Sequence, residues 1–385
     1  MIYLDNAAST PVHEKAIEEM IPYFKEHYGN PSSIHKYGRL ASIAIQNARK
    51  RIASLINAES NEILITSGGT ESNNTALYGI AHHNKGKHII TSAIEHDAIL
   101  EPCKRLEKEG FLITYLPVDK YGLVNPEDVE KEISSDTCLV SIMFANNEVG
   151  TLQPIKEIGK ITQEKKVSFH TDAVQAIGKI PIDVKELGVD LLSVSSHKIN
   201  GPKGVGALYI RKGVKIDPLI LGGGQENGLR SGTENVASIV GFGMACELAK
   251  DNMKQNYEHF RKLGMNLVSE VLKEISHTKL NGHPEKRIPN NIHFTFLGVN
   301  GEDLIIKLDE NKIAASTGSA CSVKVQKASH VLKAMGFSHE QITGSLRLTI
   351  GITNTEDEID ETVKVLKKVV KELRVVSPYK EKYNF

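Results

Sequence analysis

Short apolar segments alternating with helical ones constrain this chain most. Residues 62–66, 87–91, 111–116, 138–144 and 167–171 read as strands, and 70–83, 97–109, 126–133 and 155–165 between them read as helices. Apolar strands separated by helices need crossover connections, which give a mostly parallel sheet buried on both faces. Segments 190–194 and 205–210 look hairpin-like, which makes the sheet mixed. The predicted fold class is α/β, with a mostly parallel, seven-stranded sheet. Two helices precede it: 14–28, with Ile17, Met20, Ile21 and Phe24 on one face, and 38–55, with Leu40, Ile43, Ala44, Ala48 and Ile52 inward. After Leu221-Gly-Gly-Gly224 the pattern changes to long helices at 236–250 and 252–275. Strands at 292–297 and 345–350 and helices at 302–310 and 355–373 then form a small α+β unit. The expected division is a large cofactor-binding domain over 15–255 and a small domain made of 1–14 with 256–385.

The formal net charge of zero over 385 residues gives no global pull toward nucleic acid or an anionic membrane. No apolar run is long enough to span a bilayer, and no secretory signal is visible at the start. The four cysteines, Cys103, Cys138, Cys246 and Cys321, are far apart and form no C-x-x-C pair. That argues against a disulfide framework or a zinc site and fits a reducing cytoplasm.

The strand ends carry the chemistry. Ser193-Val-Ser-Ser-His-Lys198 leaves an apolar run, and a Gly-Pro-Lys-Gly turn follows. A lysine held on such a turn suits imine chemistry, because its amine must be neutral to attack a carbonyl. Ser67-Gly-Gly-Thr70 sits at a strand-to-helix handover, where helix N–H groups and the dipole favour an anion. A plain helix cap reads the same way there. Asp172 ends another strand with Gln175 three residues on, and such a carboxylate can keep a heterocyclic nitrogen protonated. His96 and Asn147 leave two further strands at the edge where open α/β sheets bind ligands. Together these residues describe one cofactor pocket.

Ser-Ser-His-Lys-Ile-Asn-Gly-Pro-Lys-Gly, Thr-Ser-Gly-Gly-Thr-Glu-Ser-Asn-Asn, Glu-His-Asp-Ala, Asn-Asn-Glu-Val-Gly and His-Thr-Asp-Ala-Val-Gln resemble the cysteine desulfurases of the NifS/IscS type. These are class V aminotransferase relatives with the fold type I pyridoxal-phosphate architecture, and the resemblance covers nearly the whole chain. It implies that Lys198 is the Schiff-base lysine. Thr70, Ser195 and His197 would hold the cofactor phosphate with backbone support from Gly69. Asp172 would face the pyridine nitrogen, Gln175 and Asn147 the ring hydroxyl region, and His96 would stack on the ring and join Lys198 in moving the α-proton. Residues 222–233 resemble the loop that crosses a homodimer interface, which would bring Thr233 to the phosphate of the neighbouring subunit.

Gly318-Ser-Ala-Cys321 matches the group's signature for the catalytic cysteine. Its small and basic surroundings suit a thiolate that takes sulfur and hands it on. The other three cysteines lie in apolar periodic segments and read as core. Arg347, in Gly-Ser-Leu-Arg-Leu-Thr-Ile-Gly, would clamp the substrate carboxylate, and Asn30, in Gly-Asn-Pro-Ser, matches an active-site loop. The implied reaction converts L-cysteine to alanine and leaves a persulfide on Cys321. Its sulfur acceptor would be an iron–sulfur scaffold or a tRNA-thiolation enzyme, with no metal of its own. Selenocysteine lysis or another reaction on the same scaffold is the alternative. One departure is the stretch Ser-Val-Lys-Val-Gln-Lys-Ala-Ser329, where the group is rich in Ser, Gly, Glu and Pro.

Overall fold

The computed structural model describes residues 1–318 and 328–383. Strand β1 (Ile2–Tyr3) and helices α1 (Glu14–Lys25) and α2 (Lys36–Leu55) come first. The alternating part runs β2 (Ile63–Thr66), α3 (Gly69–His83), β3 (His88–Ser92), α4 (Asp97–Lys108), β4 (Leu112–Leu116), α5 (Pro126–Glu132), β5 (Thr137–Ser141) and α6 (Ile155–Lys165). It continues through β6 (Ser168–Asp172), α7 (Val184–Leu187), β7 (Leu191–Ser195) and β8 (Gly206–Ile210). Helices α8 (Val236–Asp251) and α9 (Met253–Glu274) lead to β9 (Thr278–Leu280), β10 (Asn291–Phe296), α10 (Gly301–Glu310) and β11 (Ile313–Ala314). Short helices α11 (His330–Ala334) and α12 (His339–Thr343), strand β12 (Ser345–Thr349) and helices α13 (Glu356–Val375) and α14 (Lys380–Tyr383) complete the described chain.

The main sheet has seven strands in the order β2-β8-β7-β6-β5-β3-β4. The β7–β8 pair is antiparallel, as the hairpin-like pattern predicts, and β2 pairs antiparallel with β8. The β4, β3, β5, β6 and β7 ladders are parallel. The C-terminal ends of β2, β3, β5, β6 and β7 therefore share one sheet edge, where the sequence places its polar residues. His170 ties the middle of the sheet together: Nδ1 lies 2.8 Å from Ser141 Oγ and Nε2 2.9 Å from Ser193 Oγ. Burial alone pushes its imidazole down to about 3, so the ring is neutral.

Separate hydrophobic clusters cover the two faces of this sheet, one built against α2, α6 and α8, the other against α3 and α4. A third cluster joins Leu4, α9, α10, α13 and the sheet β12-β10-β9. β1 pairs in parallel with β11, so the first residues belong to this third packing unit.

Two local expectations need correction. The first helix ends at Lys25 rather than Tyr28. Ile43 faces solvent, because α2 turns Ala44, Ile45, Ala48 and Ile52 toward the core and leaves Ile43 on its outer side. Gly243 of α8 lets the two helices approach: a Cβ there would lie 2.7 Å from the Ala48 backbone. The β1–β11 pair, β9, α7, α11 and α12 escape the sequence pattern because elements of two to five residues carry too few positions to show a period.

Candidate active site

The shared sheet edge opens into a cavity of about 280 Å³. Gly69, Thr70, His96, Asn147 and Asp172 line it. So do Gln175, Ser195, His197, Lys198 and Arg347.

The anion end is built from backbone. Gly68 takes φ +153°, and α3 begins at the next residue. A Cβ on Gly69 would lie 2.8 Å from Val174 Cγ2, so the helix start can sit this close to the turn after β6 only as glycine. Ser195, buried at the end of β7, lies beside this turn. His197 Nδ1 is 3.3 Å from Ser9 Oγ, and burial, then the neighbouring lysine charges, hold its imidazole down at about 4. The neutral ring brings hydrogen-bonding capacity to the cradle without a formal charge.

At the opposite end, Asp172 Oδ2 accepts from Asn73 Nδ2 at 2.7 Å and Oδ1 accepts from the Val174 N–H at 2.9 Å. Asn73 lies one turn into α3 from Gly69, on the face turned toward the sheet. His96 is the N-cap of α4, its Nδ1 accepting from the Ala98 N–H at 3.0 Å. That bond places the proton of a neutral ring on Nε2.

Lys198 closes a single 3₁₀ turn after β7, and its Nζ donates to Ala7 O at 2.5 Å and Ala8 O at 2.8 Å. Gln175 Nε2 also donates to Ala7 O, at 3.0 Å, while its buried Oε1 has no partner. Arg347, on β12, donates from Nη1 to Asn147 O and from Nη2 to Asp5 Oδ1, each at 2.9 Å. Its Nε is buried and unpartnered.

Two expected residues lie elsewhere, and a third cannot be placed. Cys321 falls outside the described residues. Asn30 is exposed, its Oδ1 accepting from the Ser32 N–H at 2.9 Å, and does not reach the cavity. Thr233 is also exposed and away from the cavity of its own chain. The loop before it is pinned by two ion pairs: Glu226 with Arg49 at 2.6 Å, and Arg230 with Glu71, the neighbour of Thr70, at 2.9 Å. Cys103, Cys138 and Cys246 are buried as expected. Burial pushes the Cys103 and Cys138 thiols up to about 12 and about 11, so neither is a ready nucleophile.

Sequence reasoning missed Asp5, Asn73 and two buried acids. Glu95 accepts from Ser92 Oγ at 2.6 Å and the Met143 N–H at 2.9 Å, yet burial lifts its carboxyl to about 8. Glu148 is likewise raised by burial and accepts from Ser329 Oγ at 2.5 Å. The signal for Asn73 was present, one helical turn beyond Gly69. For the others, a carboxylate next to His96 or Asn147 gives no hint of burial.

Residues 2–362 match the family described as Aminotransferase class-V. The chain belongs to that family. Along 98% of its length it is 54% identical to "Cysteine desulfurase IscS" of Methanosarcina thermophila, covering 94% of that protein. A solved NifS-like protein superposes with a TM-score of 0.91 at 41% identity, covering 96% of this chain and 99% of the other. The solved structure of SspA in complex with cysteine gives a TM-score of 0.81 at 38% identity, over 91% and 99% of the two chains. Cysteine desulfurases of this family depend on pyridoxal phosphate. No helix among the described residues is long and apolar enough to cross a membrane.

Proposed function

We propose that this chain is a pyridoxal-phosphate-dependent cysteine desulfurase, converting L-cysteine to L-alanine and taking the sulfur as a persulfide on Cys321. One observation carries the reading: a single cavity gathers Lys198, Asp172, His96 and the Gly69–Thr70–Ser195–His197 cradle with Arg347 at its side. The donor set fits the cofactor. A glycine-lined helix start meets a phosphate, a buried carboxylate meets the ring nitrogen, and the orphaned Gln175 Oε1 awaits a hydroxyl donor.

When bound, the cofactor supplies an electron sink conjugated to the substrate α-carbon. Asp172, oriented by Asn73, would keep the ring nitrogen protonated, and His96 would pack against the ring. The Arg347 guanidinium holds the substrate carboxylate and so fixes which bond faces Lys198. Lys198 Nζ, released from Ala7 O and Ala8 O, takes the α-proton. Cys321 Sγ, as thiolate, bonds to the substrate sulfur while the Cβ–S bond breaks. The bonding electron pair remains with the carbon side, and protonation there yields alanine.

Further parts of the proposal rest on the surface and the packing. Phe24, Tyr28, Ile34 and Leu221 are exposed large apolar side chains, and Thr233 is exposed after the pinned loop. This supports a homodimer in which Thr233 completes the neighbouring phosphate site and Asn30 contributes to an active-site wall. Separate hydrophobic clusters support a large domain over 15–255 and a small one of 1–14 with 256–385. The persulfide would pass to an iron–sulfur scaffold or a tRNA-thiolation enzyme in the cytoplasm.

Two variants test the assignment. Lys198→Ala should abolish the visible absorbance of lysine-linked cofactor. Cys321→Ser should retain that absorbance and form no persulfide by mass spectrometry. Persulfide formation at the normal rate in Cys321→Ser would sink the reading.

A further inference from the structure

Glu148 directly follows Asn147 and is 3% exposed, yet it does not line the cavity. Asn146 Oδ1 accepts the N–H groups of Glu148 at 2.9 Å and Val149 at 3.0 Å, an Asx turn that fixes where the Glu148 side chain leaves the backbone. That side chain meets the two residues that flank the segment carrying Cys321. On the N-terminal side, Gly318 lines the cavity and takes φ +92°. A Cβ there would lie 3.4 Å from Glu148 Cβ and Cγ, and 3.4 Å from His293 Nε2, so Gly318 is packed between the acid's stem and the imidazole. Its N–H donates to Ser316 Oγ at 3.0 Å, and Ser316 exchanges backbone hydrogen bonds of 3.2 and 2.6 Å with Arg347. On the C-terminal side, buried Ser329 donates from Oγ to Glu148 Oε2 at 2.5 Å. The same Oγ caps α11 by accepting the Leu332 N–H at 3.0 Å.

A chain of the length of 319–328 can extend over ~33 Å, yet both of its flanks rest on this one side chain. Burial raises the Glu148 carboxyl, and the Ser329 hydroxyl, His330 and Arg347 pull it back. An apolar side chain would fill the same space without that burden. What the acid adds is the tether to Ser329.

We infer that Glu148 is a positioning residue for sulfur transfer, holding Gly318 and Ser329 so that the Cys321 segment starts and ends at fixed points beside the cavity. The inference rests on the desulfurase reading and deepens it. Glu148 acts through its two neighbours rather than on substrate or cofactor, so binding of cysteine and attack by the thiolate respond differently to its loss. The first depends on Lys198 and Arg347. The second depends on the placement of Sγ, and a sulfur held at the wrong distance lowers the rate of attack without weakening substrate binding.

Single-turnover mixing of purified holoenzyme with L-cysteine tests this, with two readouts scaled to bound cofactor: the change in cofactor absorbance, and persulfide on Cys321 by quenched mass spectrometry. A misplacement of about 1 Å can cost ~100-fold, and with His293 still packing Gly318, loss of the tether should slow persulfide formation about tenfold. Glu148→Ala and Ser329→Ala should both show that slowing, while the absorbance change keeps its wild-type rate and cysteine dependence. Glu148→Gln, which keeps an acceptor, should recover most of the rate. The double alanine variant should be no slower than the slower single one, because the two residues act along one path. A merely structural role would lower the thermal midpoint and leave persulfide formation per cofactor unchanged, and that result overturns the inference. So does a double variant slowed by the product of the two single effects. Should Glu148→Ala fail to fold, Ser329→Ala decides alone, and an unchanged persulfide rate in it refutes the role. A wild type that forms no persulfide overturns the desulfurase reading and this role with it. A wild type that forms it while the variants keep pace overturns the role of Glu148 alone.

Discussion

Replacing Asp5 with asparagine tests how Arg347, the arginine proposed to meet the substrate carboxylate, is held. Asp5 Oδ1 lies 2.9 Å from Arg347 Nη2, with the guanidinium side chain 4% and the carboxylate 21% exposed. Removing one partner of a buried pair costs about 3–5 kcal/mol. The low end applies here, because Asp5 is partly open and Nη1 keeps its bond to Asn147 O. A loss of about 3 kcal/mol is roughly a hundredfold in the folding equilibrium. With a urea slope of about 3 kcal/mol/M, the denaturation midpoint should drop by about 1 M. Catalysis should separate from stability. The unpartnered Nε beside Nη2 forms the fork a substrate carboxylate would take, and Asp5 sets that fork's direction. Loosening it should raise KM for L-cysteine about tenfold, equivalent to about 1.4 kcal/mol, with kcat nearly unchanged. A KM that falls would refute the reasoning, since it would make Asp5 a competitor of the substrate rather than the residue that aims Arg347.

Glu148→Ala should leave Ser329 without its buried acceptor, costing about 1–3 kcal/mol in chemical denaturation. It should also slow persulfide formation on Cys321 while cofactor absorbance persists, and Glu148→Gln, which keeps an acceptor, should recover most of both. Glu95 has a folded pKa of about 8 against a usual 4.5, so the folded state holds an extra proton between those values and wild-type stability falls as pH rises through that window. Glu95→Gln should flatten the fall, read as the difference in denaturation midpoint between pH 6 and pH 8. His170 runs the other way. Its folded pKa of about 3 lies below the usual 6.5, so its contribution is present above pH 6.5 and is lost as pH drops toward 3; His170→Gln should reduce that acid sensitivity in thermal melts.

The parts legible in the sequence share one property: the signal lies within a few residues of itself. The five parallel strands and their helices show as apolar runs at regular spacing. Asp172 ends a strand and Thr70, His96, Asn147 and Lys198 each follow one, so reading the strands placed all five on one edge. Asp5 with Arg347 is the opposite case. The pair closes over 342 residues, through a two-residue strand paired to another of equal length, and neither element announces itself. Ile43 shows the limit of periodicity alone, since it marks an apolar position on α2 without saying whether that side meets this chain or another.

Lys179 shows why charge is hard to read before burial is known. In sequence it is one lysine among many, directly after the small and apolar run Ala176-Ile177-Gly178. Its exceptional state comes from the turn after β6 folding its side chain under Gln175, against the turn that presents Lys198. Burial first, and then the like charge of Lys198, favour the neutral form of the Lys179 amine.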